Sequence, residues 1–233
     1  MLARRNSTDA SPDLAPLPGL AVRRETDAGV MAALQGRSAS EMMDRFAAGH
    51  RAYVALLDDE PAAFGWVATR RATIGELGAT FEIPARERYL WNFITLRAHR
   101  GKGIYPRLVD AIVQAERDEA KRFWIAYAPE NHASGAGIRK AGFSAVAELS
   151  FDAMGKPAAA GRAPGGAASA ARVLGLPLAA QGLSRCWRCA RAASQGTGAR
   201  PAMFCAEGTC TCDYQRPDVQ CETAALPNPG QPR

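Results

Sequence analysis

The stretch Arg100-Gly101-Lys102-Gly103-Ile104-Tyr105 lies between an almost wholly apolar run, residues 89–96, and a segment with helical spacing that begins around Pro106. The apolar run is typical of a strand that is covered on both faces. Glycines let the backbone approach a ligand closely, and the first N–H groups of a helix bind anions. The stretch therefore predicts a phosphate-binding loop between a buried strand and a helix, with added charge from Arg100 and Lys102.

Two common phosphate loops do not match this stretch. A P-loop requires Gly-Lys-Ser/Thr four residues after an earlier glycine, and that spacing is absent from the stretch. A dinucleotide-binding loop requires a third glycine where Pro106 stands, and it should follow the first strand of a parallel unit. Both loop types are therefore excluded.

Strand-like and helix-like runs alternate around the loop. Helical spacing occurs at residues 31–34, 42–47, 108–116 and 132–140, and strand-like runs occur at residues 20–24, 52–57, 63–69, 89–96, 123–127 and 145–151. The predicted order is β-α-α-β-β-β-α-β-α-β. Such an order favours an α/β (α+β) fold in which a mixed sheet is flanked by helices.

Composition divides the chain into five predicted parts. Residues 1–19 lack periodicity and are expected to form a disordered extension, and residues 20–152 carry the alternating pattern. Residues 153–181 are rich in Ala, Gly and Pro and are interpreted as a linker. Residues 182–225 contain every cysteine, and residues 226–233 form a Pro-rich tail that we expect to be disordered.

The overall composition excludes several classes of protein. The 233 residues are 47% hydrophobic and 22% charged, which is ordinary for a globular chain. No apolar run reaches the roughly 18 residues of a membrane span, and the first residues lack the apolar stretch of a signal peptide. We therefore expect a cytoplasmic protein. The net charge of +6 comes from scattered basic residues, so nucleic acid is an unlikely partner.

The loop and a second motif resemble the GNAT superfamily of N-acetyltransferases. Arg100 and Gly103 match the signature Gln/Arg-x-x-Gly-x-Gly/Ala, and Asn131, a short helix and Gly142-Phe143 are similar to the second conserved stretch of the family. The resemblance covers roughly residues 18–152. It implies a mostly antiparallel central sheet and acetyl-CoA as the cosubstrate. The resemblance further implies that the loop amides hold the pyrophosphate of acetyl-CoA and that the preceding strand holds its thioester arm. The cofactor-binding residues that it implies are Phe93, Ile94, Thr95, Arg100, Gly101, Lys102, Gly103, Ile104, Tyr105, Asn131 and Ser134.

Two positions depart from the family pattern. Tyr105 stands where the loop signature has Gly or Ala, and Ile138 stands where many members have the tyrosine that protonates the leaving thiolate. We expect Tyr105 to act as the acid in its place, with Tyr127 as the alternative. Glu82 is the predicted general base, because its neighbours Phe81 and Ile83 would draw it inward, where desolvation raises a carboxyl pKa. Glu76 and Glu87 are the alternative bases.

The cysteines form one local group with the spacing of a small metal site. Cys186-x2-Cys189 is a common zinc-ligand spacing, and further cysteines downstream could complete a tetrahedral site. Disulfides, unligated thiols and an iron-sulfur cluster remain alternatives. The predicted metal ligands, for which zinc is the expected metal, are Cys186, Cys189, Cys205, Cys210, Cys212 and Cys221.

These features predict an N-acetyltransferase that moves an acetyl group from acetyl-CoA to a primary amine of a small molecule or a protein. Ile138 keeps a second reading open, a non-catalytic acyl-CoA-binding or regulatory protein that acts through a metal-binding tail. A weaker third reading is a protein that binds nucleic acid through its basic tail.

Overall fold

An eight-stranded sheet forms the centre of the protein, which the computed structural model describes over residues 1–179, 182–184, 186 and 187. Two further strands, at residues 71–74 and 79–82, form a separate hairpin. The ten strands are β1 (Leu2–Asn6), β2 (Leu20–Glu25), β3 (His50–Leu57), β4 (Glu60–Ala68), β5 (Arg71–Ile74), β6 (Ala79–Glu82), β7 (Glu87–Thr95), β8 (Arg122–Ala126), β9 (Ser144–Phe151) and β10 (Pro157–Gly161).

The strands of the sheet lie in the order β10-β9-β1-β8-β7-β4-β3-β2. β7 and β8 run parallel, and the other neighbours are antiparallel. The fold that we expected, a mixed and mostly antiparallel sheet flanked by helices, is confirmed. The chain connects β7 to β8, the parallel pair at the centre, through a helix and not through a tight turn.

Five α-helices cover the two faces of the sheet. They are α1 (Ala28–Gln35), α2 (Ala39–Ala47), α3 (Ile104–Glu116), α4 (His132–Lys140) and α5 (Gly166–Leu174), with short 3-10 helices at Gly75–Leu77 and Arg97–His99. Side chains alternate across each strand, so one face packs on α3 and α4 and the opposite face packs on α1, α2, α5 and the β5–β6 hairpin. In the described part of the chain, no helix has the length and apolar character needed to cross a bilayer.

The predicted disorder of residues 1–19 is wrong for the first residues of the chain. Leu2–Asn6 form β1, which lies between β8 and β9 and pairs with both. Arg5 is completely buried, and its Nη1 donates to Asp110 of α3 (2.7 Å) and to the Ala141 carbonyl (2.9 Å). Further along the segment, Ala15 contacts α3, where Arg107 Nε donates to the Ala15 carbonyl (3.2 Å). The segment is ordered by these distant partners.

The predicted linker at residues 153–181 is also wrong for two segments. Pro157–Gly161 form β10 at the edge of the sheet, and Gly166–Leu174 form α5. Alanine is the best helix former, so an Ala-rich composition is compatible with a helix as well as with a linker. The small residues also allow close packing, since a side chain at Gly166 would collide with the Val146 backbone.

The start of the predicted Cys-rich module belongs to the same folded unit as the sheet. The Ser184 amide donates to the Phe151 carbonyl (2.9 Å), and Trp187 is 3% exposed within the core that includes Leu149. The domain boundary that we predicted after residue 152 is therefore contradicted by the packing of the described residues up to Trp187.

Candidate active site

The pairing of β7 with β8 ends part of the way along β7. The register runs from Glu87 to Leu90, opposite residues 122–125, whereas β7 continues to Thr95 and is paired with β4 to that point. Among the residues that the structure describes, the sheet thus opens between the second half of β7 and the end of β8. This opening is called the β7–β8 gap below. The predicted cofactor residues Phe93, Ile94 and Thr95 all lie along it.

A β-bulge lies at the start of the gap. The register of β7 with β4 shifts here, so that Asn92 and Phe93 together face the single residue Gly65. Asn92 has a φ of 51°, in the left-handed region that asparagine adopts more readily than most residues. A side chain at Gly65 would clash with the Phe93 ring. Because a bulge bends and twists its strand, it accounts for the end of the β7–β8 ladder.

The glycine loop follows β7 and leads directly into α3. Gly101 and Gly103 have φ values of 75° and 71°, and Gly103 is the residue before the first turn of α3. Arg107 of that turn donates from Nη1 to the Gly103 carbonyl (2.7 Å). At the first residue of the loop, Arg100 Nε donates to the Thr95 carbonyl (3.2 Å). The predicted strand, loop and helix start are therefore present, in an arrangement whose amides can bind an anion.

Four of the predicted cofactor residues meet on the α3–α4 side of the gap. The rings of Phe93 and Tyr105 pack edge to face, with centroids 5.5 Å apart. Tyr105 Oη lies 3.4 Å from Ser134 Oγ, and Asn131 caps α4 by accepting a hydrogen bond from the Ser134 amide (3.0 Å). Asn131 thus has the capping role that its position favours.

The structure explains how Tyr105 is accommodated at the last position of the loop signature. The ring of Tyr105 lies so close to Gly137 of α4 that any side chain there would collide with it. The ring is therefore directed to α4 and packs between the two helices. Ile138, one position later, is 1% exposed in the core between the sheet and these helices. The family position of the tyrosine is filled here by an apolar core residue.

The expectation that Glu82 is drawn inward is wrong. Its side chain is 76% exposed and pairs with Arg71 across the β5–β6 hairpin (3.3 Å). Strand alternation explains the difference, because Ala79 and Phe81 point inward and Glu82 must then point outward. Desolvation therefore cannot prepare Glu82 as a base.

The two alternative carboxylates occupy different places. Glu87 is buried at the beginning of β7, far along the strand from the bulge, where it accepts from Trp124 Nε1 (2.5 Å) and pairs with Arg122 (3.0 Å). Glu87 thus has a structural role, because it holds Trp124 and Arg122 of β8. Glu76 lies in the 3-10 helix beside β7. Burial raises the pKa of the Tyr89 hydroxyl, and the nearby Glu76 carboxylate raises that pKa further.

Sequence reasoning missed a polar and aromatic group on the face opposite α3. Trp91, directly before the bulge, donates from Nε1 to His50 Nδ1 (3.2 Å), and the Arg45 guanidinium lies 5.0 Å from the Trp91 ring. Burial, with smaller contributions from the charges of Arg45 and Arg70, lowers the pKa of His50 to about 4. The imidazole is therefore neutral at neutral pH and can accept this bond. In the sequence, Trp91 belongs to an apolar run, and its partners His50 and Arg45 are distant in the chain, so no local pattern indicated this group.

The predicted metal ligands fall almost wholly outside the described residues. Cys189, Cys205, Cys210, Cys212 and Cys221 lie there, and zinc binding by this group stays a prediction. Cys186 is described, and its side chain is 1% exposed beside Trp187. Within the described ranges, no three His, Cys, Asp or Glu side chains are grouped as metal ligands.

A comparison with protein families identifies the family of the chain. Residues 12–144 match the sequence profile described as the acetyltransferase (GNAT) domain. No curated protein sequence matches the chain.

Several solved structures that are similar to the chain are described as acetyltransferases, and two of them illustrate the extent of the match. A GCN5-related N-acetyltransferase from Kribbella flavida is 17% identical, with a TM-score of 0.39, and the match covers 53% of this chain and 46% of that chain. This chain thus spans less than half of that protein. An acetyltransferase of the GNAT family from Streptococcus pneumoniae is 13% identical, with a TM-score of 0.42 and coverages of 56% and 88%. Because the profile match extends over more than half of its residues, the protein belongs to the GNAT acetyltransferase family.

Proposed function

We propose that the protein transfers an acetyl group from acetyl-CoA to a primary amine of a small molecule or a protein. The observation that carries this proposal is the joint placement of the β7–β8 gap and the glycine loop. The gap opens at the bulged residue Asn92, and the loop begins five residues after the end of β7. A long cofactor arm can then enter between the strands while its phosphates bind at the start of α3.

The residues present fit this cosubstrate. Gly101 and Gly103 leave the loop backbone accessible, and the first amides of α3 carry the partial positive charge that favours phosphate oxygens. Arg100 and Lys102 add two cations beside them. Residues 93–95 lie along the gap, where backbone amides can hold the arm and polarise the thioester carbonyl.

The chemistry then requires attack of a neutral amine on the thioester carbonyl and departure of a thiolate. The carbon–nitrogen bond forms, the carbon–sulfur bond breaks, and the amine releases one proton to solvent. We assign protonation of the thiolate to Tyr105, whose hydroxyl faces Ser134 at the α4 end of the gap. Solvent returns the proton to Tyr105. This position substitutes for the family tyrosine that Ile138 replaces.

The test is calorimetric titration of acetyl-CoA into the wild type and a Gly101→Ala variant. Among the described residues, nothing apart from its two chain neighbours lies within 4 Å of a Cβ at Gly101, so the added methyl group only strains the positive φ. Such strain costs about 1 kcal/mol of stability. We expect the dissociation constant of acetyl-CoA to rise at least tenfold, because the loop backbone moves away from its ligand geometry.

Gly175→Ala is the matched control. Gly175 has a φ of 65° and the same open surroundings, but it lies at the end of α5. It should lose similar stability and bind acetyl-CoA like the wild type. CoA and ATP are titrated in parallel, and ATP shows whether any phosphate ligand is accepted. Equal binding by both variants, or no binding by the folded wild type, would contradict the proposal.

A further inference from the structure

One side chain connects the α1–α2 helix pair to the bulge in β7. Gln35, the last residue of α1, accepts a hydrogen bond at Oε1 from Asn92 Nδ2 (3.0 Å). The two residues are 57 positions apart in the chain. Neither residue is among those that the family resemblance implies.

Asn92 lies at the bulge, so a contact with its side chain can affect the backbone of the second half of β7. Its φ of 51° is unfavourable for a residue with a side chain, and its conformation determines where the rest of β7 runs beside the gap. A hydrogen bond to its side chain limits the alternatives that the backbone can adopt. The position of the amides after Asn92 is therefore sensitive to what holds its side chain.

Gln35 is itself fixed by both helices. Its Oε1 also accepts from Arg45 Nη1 (3.0 Å), and its Nε2 donates to the Met31 carbonyl (3.1 Å) and contacts Met42 Sδ (3.0 Å). Arg45 in turn pairs with Glu41 (2.8 Å) and lies over the rings of Trp66 and Trp91. A side chain with partners on three elements can hold its contact in one geometry.

We propose that Gln35 is a positioning residue that holds the β7 bulge in the geometry required for acetyl transfer. This inference rests on the proposed function. The glycine loop binds the phosphates, whereas the amides after the bulge hold the thioester carbonyl. Loss of the Gln35 contact therefore impairs the chemical step more than cofactor binding.

The test uses three variants in the full chain. Gln35→Met removes the acceptor oxygen and keeps a side chain of similar length. Gln35→Glu keeps an acceptor for Asn92 and Arg45. The double variant Gln35→Met/Asn92→Gly places a glycine where the positive φ then needs no support.

We expect Gln35→Met to lower kcat at least tenfold and to change the dissociation constant of acetyl-CoA less than threefold. Gln35→Glu should stay within about threefold of wild-type kcat, and the double variant should recover most of the loss. A role in stability alone predicts no recovery by Asn92→Gly. Unchanged kcat in Gln35→Met, or a double variant no better than the single one, would overturn the inference.

A second measurement separates this inference from the proposed function. Backbone amide NMR signals of Phe93 and Ile94 should shift in Gln35→Met and move back towards the wild-type positions in the double variant. These signals report on the bulge even if no amine is acetylated. Absence of wild-type turnover and of acetyl-CoA binding would reject the proposed function, whereas unmoved amide signals in Gln35→Met would reject the role of Gln35.

Discussion

At the scale of single residues, the Tyr105 hydroxyl provides the most direct test of the chemistry. Tyr105→Phe keeps the ring that packs on Phe93 and Gly137 and removes only the oxygen near Ser134. If this hydroxyl protonates the leaving thiolate, kcat should fall about 100-fold, the lower end for general acid catalysis. The dissociation constant of acetyl-CoA should be unchanged.

Tyr127→Phe is the control for this prediction. The ring of Tyr127 packs on Gly135 much as that of Tyr105 packs on Gly137, and its hydroxyl was the alternative acid. Steady-state turnover of both variants is measured with an amine identified by screening. A Tyr105→Phe enzyme with full kcat, or a larger loss in Tyr127→Phe, would move the acid role away from Tyr105.

The residues that sequence could predict are those with local signals. The glycine loop is recognisable because its glycines and its position before a helix are adjacent in the chain, and Asn131 is recognisable as a cap. The contact of Gln35 with Asn92 joins distant positions, so no local pattern contains it. For Glu82 the local signal was present but misinterpreted, since two inward neighbours in a strand place the residue between them outward.

At the scale of elements, β1 is held by a buried ion pair whose two partners differ in exposure. Arg5 is 0% exposed and Asp110 is 21% exposed. Removing Asp110 leaves a buried charge without its partner, whereas removing Arg5 leaves a carboxylate that water can reach. We therefore expect Asp110→Ala to lower the free energy of unfolding by about 3 to 5 kcal/mol.

Arg5→Met is the comparison, because it keeps much of the buried aliphatic chain. Arg5→Met should lower the free energy of unfolding by about 1 to 2 kcal/mol, which is the range for loss of an ordinary hydrogen bond with its desolvation cost. Urea unfolding followed by circular dichroism measures both values. Equal losses, or a larger loss in Arg5→Met, would show that the packing of the arginine chain, and not its charge, holds β1.

Two of the strands that sequence missed, β1 and β10, share a physical cause. β1 contains two adjacent arginines, and β10 consists mainly of alanine, which has little intrinsic strand preference. Each becomes a strand because a neighbouring strand offers unpaired backbone groups along its edge. The predicted helices and inner strands carry their own apolar periodicity, so their order was confirmed without knowledge of the partners.

At the scale of the whole molecule, the folded unit is larger than the segment that defines the family. The family match ends at residue 144, yet β1, β10 and α5 all pack on it from outside that segment. Trp187, the last residue that the structure describes, also belongs to this unit. Its amide donates to Glu130 Oε2 (3.1 Å) and its Nε1 to the Leu149 carbonyl (2.6 Å). Trp187 thus lies beside the loop between β8 and α4.

Trp187→Ala should therefore weaken the entire domain, and not only its C-terminal segment. Truncation of a buried Trp costs about 3 to 5 kcal/mol of unfolding free energy, so the urea midpoint should fall while the transition stays single. Leu178→Ala is the control, because Leu178 is 56% exposed and its loss should change the midpoint little. If Trp187→Ala unfolds at the wild-type urea concentration, residue 187 does not belong to the core, and the Cys-rich segment behaves as a separate module after all.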